Sequence, residues 1–405
     1  IATTDLTGKI AGSSVKGAVT LGIGEPLRVN GEIEADQADA AELFAILAGA
    51  PRPPASSPEW IAEPFGRPAT PPMEGRVAFR VATAQWLAGA PASDVAGTIT
   101  FDPSGFSLAG MTGGLANGRF ALDGEVRRDR AGLFLHSHVK VTNAELPVLL
   151  KSVLRVPSAG RLSLETDLQG QGLSPASLVG SASGSGTVAI ENLEVGGLDP
   201  NAVDVVLNAL ETDRSLAGNP AKAIQIASTA LDAGRLKIAS LTTPITLADG
   251  RAQLANVQAR VQNADISGSI SLALADWQAN GRFVMTALPR KSAPGAERPV
   301  MTVITRGPLA AAKRSVDVTN LVNWATQRAI EVETRRLDEA EKERRRVESL
   351  VDTMRRQQPP DAARPPDVPG QNRTSPPSGS AAQGAPQGSA AGVDRRSGPA
   401  IPPGP

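Results

Sequence analysis

Apolar and polar residues alternate with a period of two along most of this 405-residue chain, and this pattern constrains the fold more than any other feature. Between residues 75 and 141 the apolar positions include Val77, Phe79 and Val81, and the same pattern returns between residues 224 and 288. Turns rich in Gly, Pro and Asp separate the runs at intervals of about 8–12 residues. Because successive side chains of a strand point to opposite faces, the pattern predicts strands with one apolar and one wet face. We therefore expect a mainly β fold: an elongated, curved antiparallel sheet that forms a groove, with short amphipathic helices, a C-terminal helix and a disordered tail.

The stretch from Gly180 to Leu210 predicts how such a sheet is interrupted. Its first strand places Val188 and Ile190 on one face. Polar Glu191 and Asn192 follow, and the apolar positions then resume out of phase. Since the side-chain period of a strand is two, this slip predicts a bulge or a tight bend.

Three short helices are predicted beside the strands. One covers Asp39–Ala48 and another Asn143–Val156. A third is capped by Asp199 and begins at Pro200, where the missing N–H has no cost. Its apolar stripe follows the helical spacing i, i+3, i+4 and i+7 and consists of Val203, Val206, Leu207 and Leu210.

The same stretch resembles a known family. A Gly/Ser-rich lead over residues 180–186, a short apolar strand, an Asx residue, a second strand and Gly-Leu-Asp before a helix are similar to the C-terminal region of the AsmA family. A Trp-x-x-Glu-Pro stretch commonly precedes the last β region of AsmA-like proteins, and Trp60, Glu63 and Pro64 match it here. The resemblance covers roughly residues 1–334.

The resemblance implies a place and a role. AsmA-like proteins belong to the Gram-negative envelope and have one N-terminal inner-membrane helix and a long β-rich periplasmic body. The chain begins at Ile1, so we expect it to be a piece from which that helix is absent. The implied role is non-enzymatic: outer-membrane biogenesis, with phospholipid carried along an apolar β-groove between the inner and outer membranes. Outer-membrane or periplasmic proteins are possible further partners.

The residue pattern suggests which side chains would line such a groove. An acyl chain gains about 0.8 kcal/mol for each CH₂ that it buries, so apolar residues on one parity of the strands are the candidates. They are Val188, Ile190, Val257, Val261, Ile270, Leu272 and Leu274. Ser271 would face the opposite side. The alternative is a passive β-scaffold or adhesin-like protein in which the same apolar faces are sealed in a dry core.

The composition argues against most chemistry. The chain has no Cys, and 41 Lys+Arg balance 41 Asp+Glu, so no thiolate site and no global field for nucleic acid is expected. His136 and His138, its 2 histidines, share one strand face, but no carboxylate or thiolate lies near them in sequence to complete a metal site. The Gly-rich runs have no Walker lysine and are explained by turns. We therefore predict no catalytic residue, no cofactor and no metal.

The organisation along the chain is expected to have five parts. Residues 1–50 form strands and a short helix, and residues 51–72 form a Pro-rich connector. Residues 73–310 form the AsmA-like β region and residues 311–357 a long helix. Residues 358–405 lack the apolar content for a core, which predicts a disordered tail.

Two of these parts carry apolar anchors. The connector contains Trp60, Ile61 and Phe65, which a free linker rarely carries, so part of it is predicted to pack on the body. In the long helix, capped by Thr319, the first half has an apolar stripe and the second is charged on all sides. The stripe comprises Leu321, Trp324, Ala325 and Val332.

Overall fold

The structure is a computed structural model that divides into two compact units, Ile1–Glu339 and Ala340–Pro405. It describes residues 2–10, 13–51, 60–85, 90–151, 158–288 and 298–357. The tail predicted over residues 358–405 and part of the Pro-rich connector, residues 52–59, lie outside the described residues.

Strands and helices follow one another in a simple order. The strands are β1 Ala2–Ile10, β2 Ser13–Gly22, β3 Leu27–Asp39, β4 Met73–Gln85, β5 Ala92–Asp102, β6 Gly105–Leu115, β7 Gly118–Asp129, β8 Gly132–Glu145, β9 Ser158–Gly172, β10 Ser183–Gly196, β11 Arg235–Ala248, β12 Arg251–Arg260, β13 Ala264–Ala273, β14 Gln278–Ala287, β15 Val300–Pro308 and β16 Lys313–Asp317. The helices are α1 Ala40–Ala48, α2 Leu146–Leu149, α3 Pro175–Gly180, α4 Ala202–Thr212, α5 Pro220–Asp232 and α6 Thr319–Gln357, with 3₁₀ turns at Arg214–Gly218 and Leu309–Ala311.

Within the described residues, all strands belong to one 16-stranded sheet whose spatial order is the order along the chain. The sheet is curved and unclosed, which confirms the predicted mainly β fold. Neighbours are antiparallel except β3 and β4, which are parallel. A parallel pair needs a crossover connection, and α1 with the Pro-rich connector provides it.

One face of the sheet is continuous from β4 to β14. Residues directly opposite each other on paired strands point to the same side, so the register defines rows across the sheet. One row, on what we call the inner face, is Val77–Ile99–Leu108–Gly124–Ser137–Leu168–Gly184–Leu247–Ala252–Leu272–Ala279. A row on the outer face is Asp123–His138–Asp167–Ser185–Thr246–Gln253–Ser271–Asn280. The alternation therefore separates an apolar inner face from a polar outer face.

The predicted bulge in β10 is confirmed. The pairing with β9 shifts between Glu191 and Glu194, and Asn192 adopts a left-handed conformation with φ 51°. Asparagine tolerates this region better than most residues.

The helices differ in part from the sequence prediction. The α4 stripe of Val203, Val206, Leu207 and Leu210 is buried as predicted. The helix begins at Ala202 rather than Pro200, because the Asp199 side chain accepts the N–H of Asn201 at 2.9 Å and holds a turn there.

Strand β8 and helix α5 correct two expectations. The helix predicted over Asn143–Val156 is replaced by the end of β8 and the four-residue α2, because Asn143 forms a bulge with φ 56° that lets the strand continue; residues 152–157 lie outside the described part. Strands were expected from residue 224, yet α5 covers Pro220–Asp232, with Asn219 accepting the N–H of Lys222 at its start. The helical spacing of its buried small residues was not recognised in the sequence.

The long helix runs from Thr319 to Gln357, which confirms the start predicted at Thr319. Of the part assigned to it, residues 311–357, Lys313–Asp317 instead pair with β15 as β16. Its first turns are anchored: Leu321 and Ala325 are buried. Val332, expected in the same stripe, is 40% exposed. The predicted anchoring is thus confirmed for the first turns and ends before Val332.

In the part of the chain that the structure describes, buried hydrophobic side chains form three clusters. The largest lies between the inner face of β11–β16 and the helices α4, α5 and the start of α6. A second joins one end of β4–β8, and a third joins the C-terminal end of α1 to β6, β7 and β8.

Candidate functional site: an apolar cavity under the first helix

A cavity of about 580 Å³ lies between α1 and the inner face of β2–β8. Most of its walls are apolar side chains. The main ones are Val15, Val29, Ile33, Leu43, Phe44, Leu47, Met73, Val77, Phe79, Val81, Val95, Ile99, Phe101, Phe106, Leu108, Met111, Leu122, Val126 and Leu135.

Local sequence signals fix α1 over this face. Asp39 caps the helix by accepting the N–H groups of Ala41 at 2.9 Å and Glu42 at 3.1 Å. Gly49 ends it in a left-handed conformation with φ 65°, and the Gly49 carbonyl accepts the N–H of Gly66 at 2.8 Å. Both ends of the nine-residue helix are thereby defined.

Two inner-face glycines shape the floor of the cavity. At Gly97 an added Cβ would come within 3.0 Å of the Phe79 ring, so this ring lies across the glycine. At Gly124 an added Cβ would meet only the His136 carbonyl oxygen at 3.6 Å and the Ser137 Cβ at 3.8 Å, which are ordinary contacts. Gly124 therefore leaves space that a larger residue would fill.

A second cavity of about 360 Å³ adjoins the first at the end where α1 meets the connector. Its walls include Arg67, Asp102, Ser104 and Arg128. The Ser104 hydroxyl and backbone N–H both donate to the Asp102 carboxylate, and these bonds, the hydroxyl first, lower the pKa of Asp102. The Arg128 guanidinium donates to the carbonyl oxygen of Ala48 at the end of α1. We call this second cavity, whose largely apolar wall also carries these charged and polar side chains, the mouth.

The described part of the connector, residues 60–72, forms a strap along the same edge of the sheet. The Trp60 indole N–H donates to the carbonyl oxygen of Leu274 at 2.7 Å, and the ring stacks on Trp277 with centroids 6.5 Å apart. Farther along, the Phe65 N–H donates to the Leu173 carbonyl at 2.8 Å, and the Phe65 side chain packs against the third cluster. The prediction that the connector packs on the body is confirmed.

The seven residues proposed from the sequence to line a groove lie elsewhere on the sheet. Val188 is buried on the inner face between Leu164 and Thr243. Val257 belongs to the large cluster under α4–α6, and Ile190 and Val261 pack against that cluster.

The other three lie near the β13–β14 end of the sheet. Ile270 and Leu272 are half-buried on the inner face. Leu274 follows β13, and its N–H donates to the Gly250 carbonyl at 2.8 Å. In the described part of the chain, none of the seven is among the residues that line the cavity.

The residues that line the cavity share a sequence feature, a concentration of phenylalanines, that could have predicted its position. Phe44, Phe79, Phe101 and Phe106 are four of the 8 phenylalanines, and Phe283 is the one that lies beyond residue 134. Large aromatic side chains in the first third of the chain, interleaved with glycines, mark the strands on which the cavity is built.

The two histidines share the strand parity of the outer face, although His136 is also among the residues that border the cavity. His138 Nδ1 is 2.8 Å from the Asp167 carboxylate and its Nε2 is 3.7 Å from Glu165, which also pairs with Lys140 at 2.9 Å. This is a solvated network of surface charges, which contributes little to stability. Among the described residues, no group of three or more His, Cys, Asp or Glu side chains is placed to hold a metal.

Comparisons of this chain with protein-family models, with curated proteins and with solved structures returned no match. None of the helices in the described ranges combines the length and the apolar character needed to cross a membrane.

Proposed function

We propose that this chain is a non-enzymatic, lipid-handling envelope protein of the AsmA type, which holds phospholipid acyl chains against the inner face of its sheet. The observation that carries the proposal is the apolar cavity of about 580 Å³ under α1. In this proposal the protein is anchored to the inner membrane of a Gram-negative cell, its body lies in the periplasm, and it contributes to outer-membrane biogenesis by moving lipid between the membranes.

The dimensions of α1 and of strands β2–β8 indicate that the helix covers only part of the apolar face beneath it. A helix of nine residues is about 13 Å long and about 10 Å wide with its side chains. The seven strands β2–β8 extend about 29 Å across, since neighbouring strands lie about 4.8 Å apart. A sheet buries its apolar face against a second layer, and α1 alone is too small to be that layer.

Acyl chains match the chemistry of the uncovered surface. Each buried methylene contributes about 0.8 kcal/mol, and the cavity volume falls within the range of about 300–1,000 Å³ that is typical of ligand pockets. The wall is built from Val, Leu, Ile, Met and Phe side chains, which contact a hydrocarbon chain without selecting its position.

The passive scaffold remains the second candidate because of one specific observation. Over part of β11–β16 the inner face is sealed by α4, α5 and the start of α6, with Val203, Leu207 and Leu231 at 0% exposure. A protein whose whole inner face were covered in this way would have a dry core and no lipid path.

A pair of photo-crosslinkers separates the two candidates. Leu108 lines the cavity, and Ser107, its neighbour on β6, points to the outer face. We expect a photo-crosslinking amino acid at position 108 to capture phospholipid in intact Gram-negative cells, and the same group at position 107 to capture at least tenfold less. Equal capture at both positions, or capture at neither, would favour the scaffold.

A further inference from the structure

The apolar cavity and the mouth share a wall. Both are lined by Leu47, Thr70, Met73, Phe101, Phe106 and Val126. The two spaces therefore adjoin at the C-terminal end of α1, with hydrocarbon on one side and charged groups on the other. This is the arrangement that an amphipathic molecule requires.

The charge at the mouth is predominantly positive. Arg67 comes from the exposed strap and Arg128 from β7, and one carboxylate, Asp102, stands against these two guanidinium groups. Asp102 already accepts the backbone N–H and hydroxyl of Ser104, so its negative charge is partly compensated within its own turn.

Arg128 keeps donors for a ligand. A guanidinium group has five N–H donors, and one of its nitrogens donates to the Ala48 carbonyl. That bond fixes the Arg128 side chain beside the end of α1, so its orientation is set before a ligand arrives. Arginine is suited to phosphate because its planar fork matches two phosphate oxygens at once.

We infer that the cavity and the mouth form one binding site for an anionic phospholipid, with an acyl chain under α1 and the headgroup phosphate at Arg67 and Arg128. This inference rests on the proposed function and adds to it a headgroup position and a preference for a lipid that bears a phosphate.

The test is equilibrium binding of two fluorescent lipids with identical acyl chains, phosphatidylglycerol and diacylglycerol, to the purified full chain. We expect phosphatidylglycerol to bind the wild type at least tenfold more tightly than diacylglycerol. Arg67→Gln should weaken phosphatidylglycerol binding about tenfold, as expected for the loss of a hydrogen bond to a charged group, and should change diacylglycerol binding less than twofold. Arg67 is preferred to Arg128 as the target because Arg128 also holds the end of α1.

Arg251→Gln is the matched control, since Arg251 is exposed at the β11–β12 turn, outside both cavities; it should leave both affinities within twofold. Inorganic phosphate at millimolar concentration should not displace phosphatidylglycerol. Displacement by phosphate alone would mean that the mouth is a site for free phosphate, and the inference would be wrong.

The remaining outcomes separate the inference from the proposed function. If both lipids bind equally and Arg67→Gln changes neither, the headgroup position is wrong while acyl-chain binding stands. If neither lipid binds and the crosslinker at Leu108 captures none, the proposed function itself fails.

Discussion

Filling the cavity from its floor is the most direct physical test of the proposed site. Gly124 lies on β7 in the inner-face row between Leu108 and Ser137 and lines the cavity. Its nearest neighbours allow a Cβ without backbone movement, since the closest atoms would be 3.6 and 3.8 Å away. Gly124→Leu would therefore place a side chain into the cavity rather than into packed atoms.

The expected changes in stability and in lipid binding have opposite signs. Leucine adds four carbons, which at about 0.8 kcal/mol each give at most about 3 kcal/mol when buried. Loss of rotamer freedom subtracts about 0.5–1 kcal/mol, so the free energy of unfolding of the lipid-free protein should rise by about 2 kcal/mol. The same carbons displace a similar number of acyl methylenes, which should weaken lipid binding by up to about a hundredfold.

Two measurements check this prediction. Urea denaturation of delipidated protein gives the change in stability, and mass spectrometry of lipid that copurifies with the protein gives occupancy. Gly180→Leu is the matched control, because a Cβ at Gly180 would meet no atom within 4 Å. It should change neither quantity appreciably.

Either half of the result can refute the reasoning. A Gly124→Leu protein that is less stable by 2 kcal/mol or more would show that the space above Gly124 is already filled. A more stable variant that still retains lipid as the wild type does would show that lipid binds outside this cavity.

Two further predictions concern the packing of helix α6 on the sheet and the ion pairs of Asp265. Leu321→Ala in the first turns of α6 should lower the free energy of unfolding by about 3 kcal/mol, because Leu321 is 0% exposed. Leu350→Ala is the control, because Leu350 is 53% exposed in the same helix. It should change the free energy of unfolding by less than about 0.5 kcal/mol. The Asp265 carboxylate accepts from Arg298 at 2.7 Å and Arg260 at 2.9 Å, and these bonds lower its pKa below the ordinary 3.8. Its contribution, under about 1 kcal/mol because the pair is exposed, should be complete above pH 3.8 and disappear as the pH falls through the lowered folded pKa.

Each of these predictions has its own control and its own refutation. Equal losses from Leu321→Ala and Leu350→Ala in urea denaturation would mean that the packed part of α6 extends past its first turns. For the Asp265 carboxylate, the measurement is the difference in free energy of unfolding between the wild type and Asp265→Asn. This difference should become smaller as the pH falls, because the wild-type carboxylate is then protonated. A difference that stays constant from pH 7 to pH 2 would show that the two arginines do not stabilise the ionised form.

The faces of the strands could be read from the sequence, because they depend on neighbours two residues apart. Leu272 and Ser271 do lie on opposite faces, as expected, and the bulge at Asn192 follows from a local slip in the same pattern. Which helix, if any, packs on each face of the sheet could not be predicted from this periodicity. Whether Val257 faces a helix or a cavity depends on α4 and α5, which are more than 20 residues away in sequence.

The position of the cavity was missed for the same reason. The strongest local pattern in the sequence lies around Val188, where a Gly/Ser-rich lead precedes a short apolar strand. The site depends instead on how little of β2–β8 a nine-residue α1 can cover, and on Arg67 and Arg128, which are 61 residues apart and line the same cavity because the strap returns to the sheet there. Periodicity identifies an apolar face, but the size of the second layer decides whether that face is filled.

The helices that pack on the inner face of the sheet also limit how lipid could move under the proposed function. At β9 the inner face passes directly beneath α3, where a Cβ at Gly172 would lie within 2.4 Å of the Leu178 nitrogen. Beyond α3, the helices α4, α5 and the start of α6 seal one part of the inner face of β11–β16, whereas Ile270 and Leu272 on the same face are half-buried. An acyl chain could enter the sealed part only if these helices separated from the sheet, which would expose a cluster that includes Leu207 and Leu321. Around the cavity, by contrast, the cover is one short helix and the strap, and two backbone hydrogen bonds of the strap, from Gly66 to Gly49 and from Ala69 to Ile46, join it to that helix. Under the proposed function, lipid would enter and leave beside α1 and the strap rather than beneath α4, α5 and α6, because the cavity lies under α1 and, among the described residues, the sealed cluster has no part in its walls.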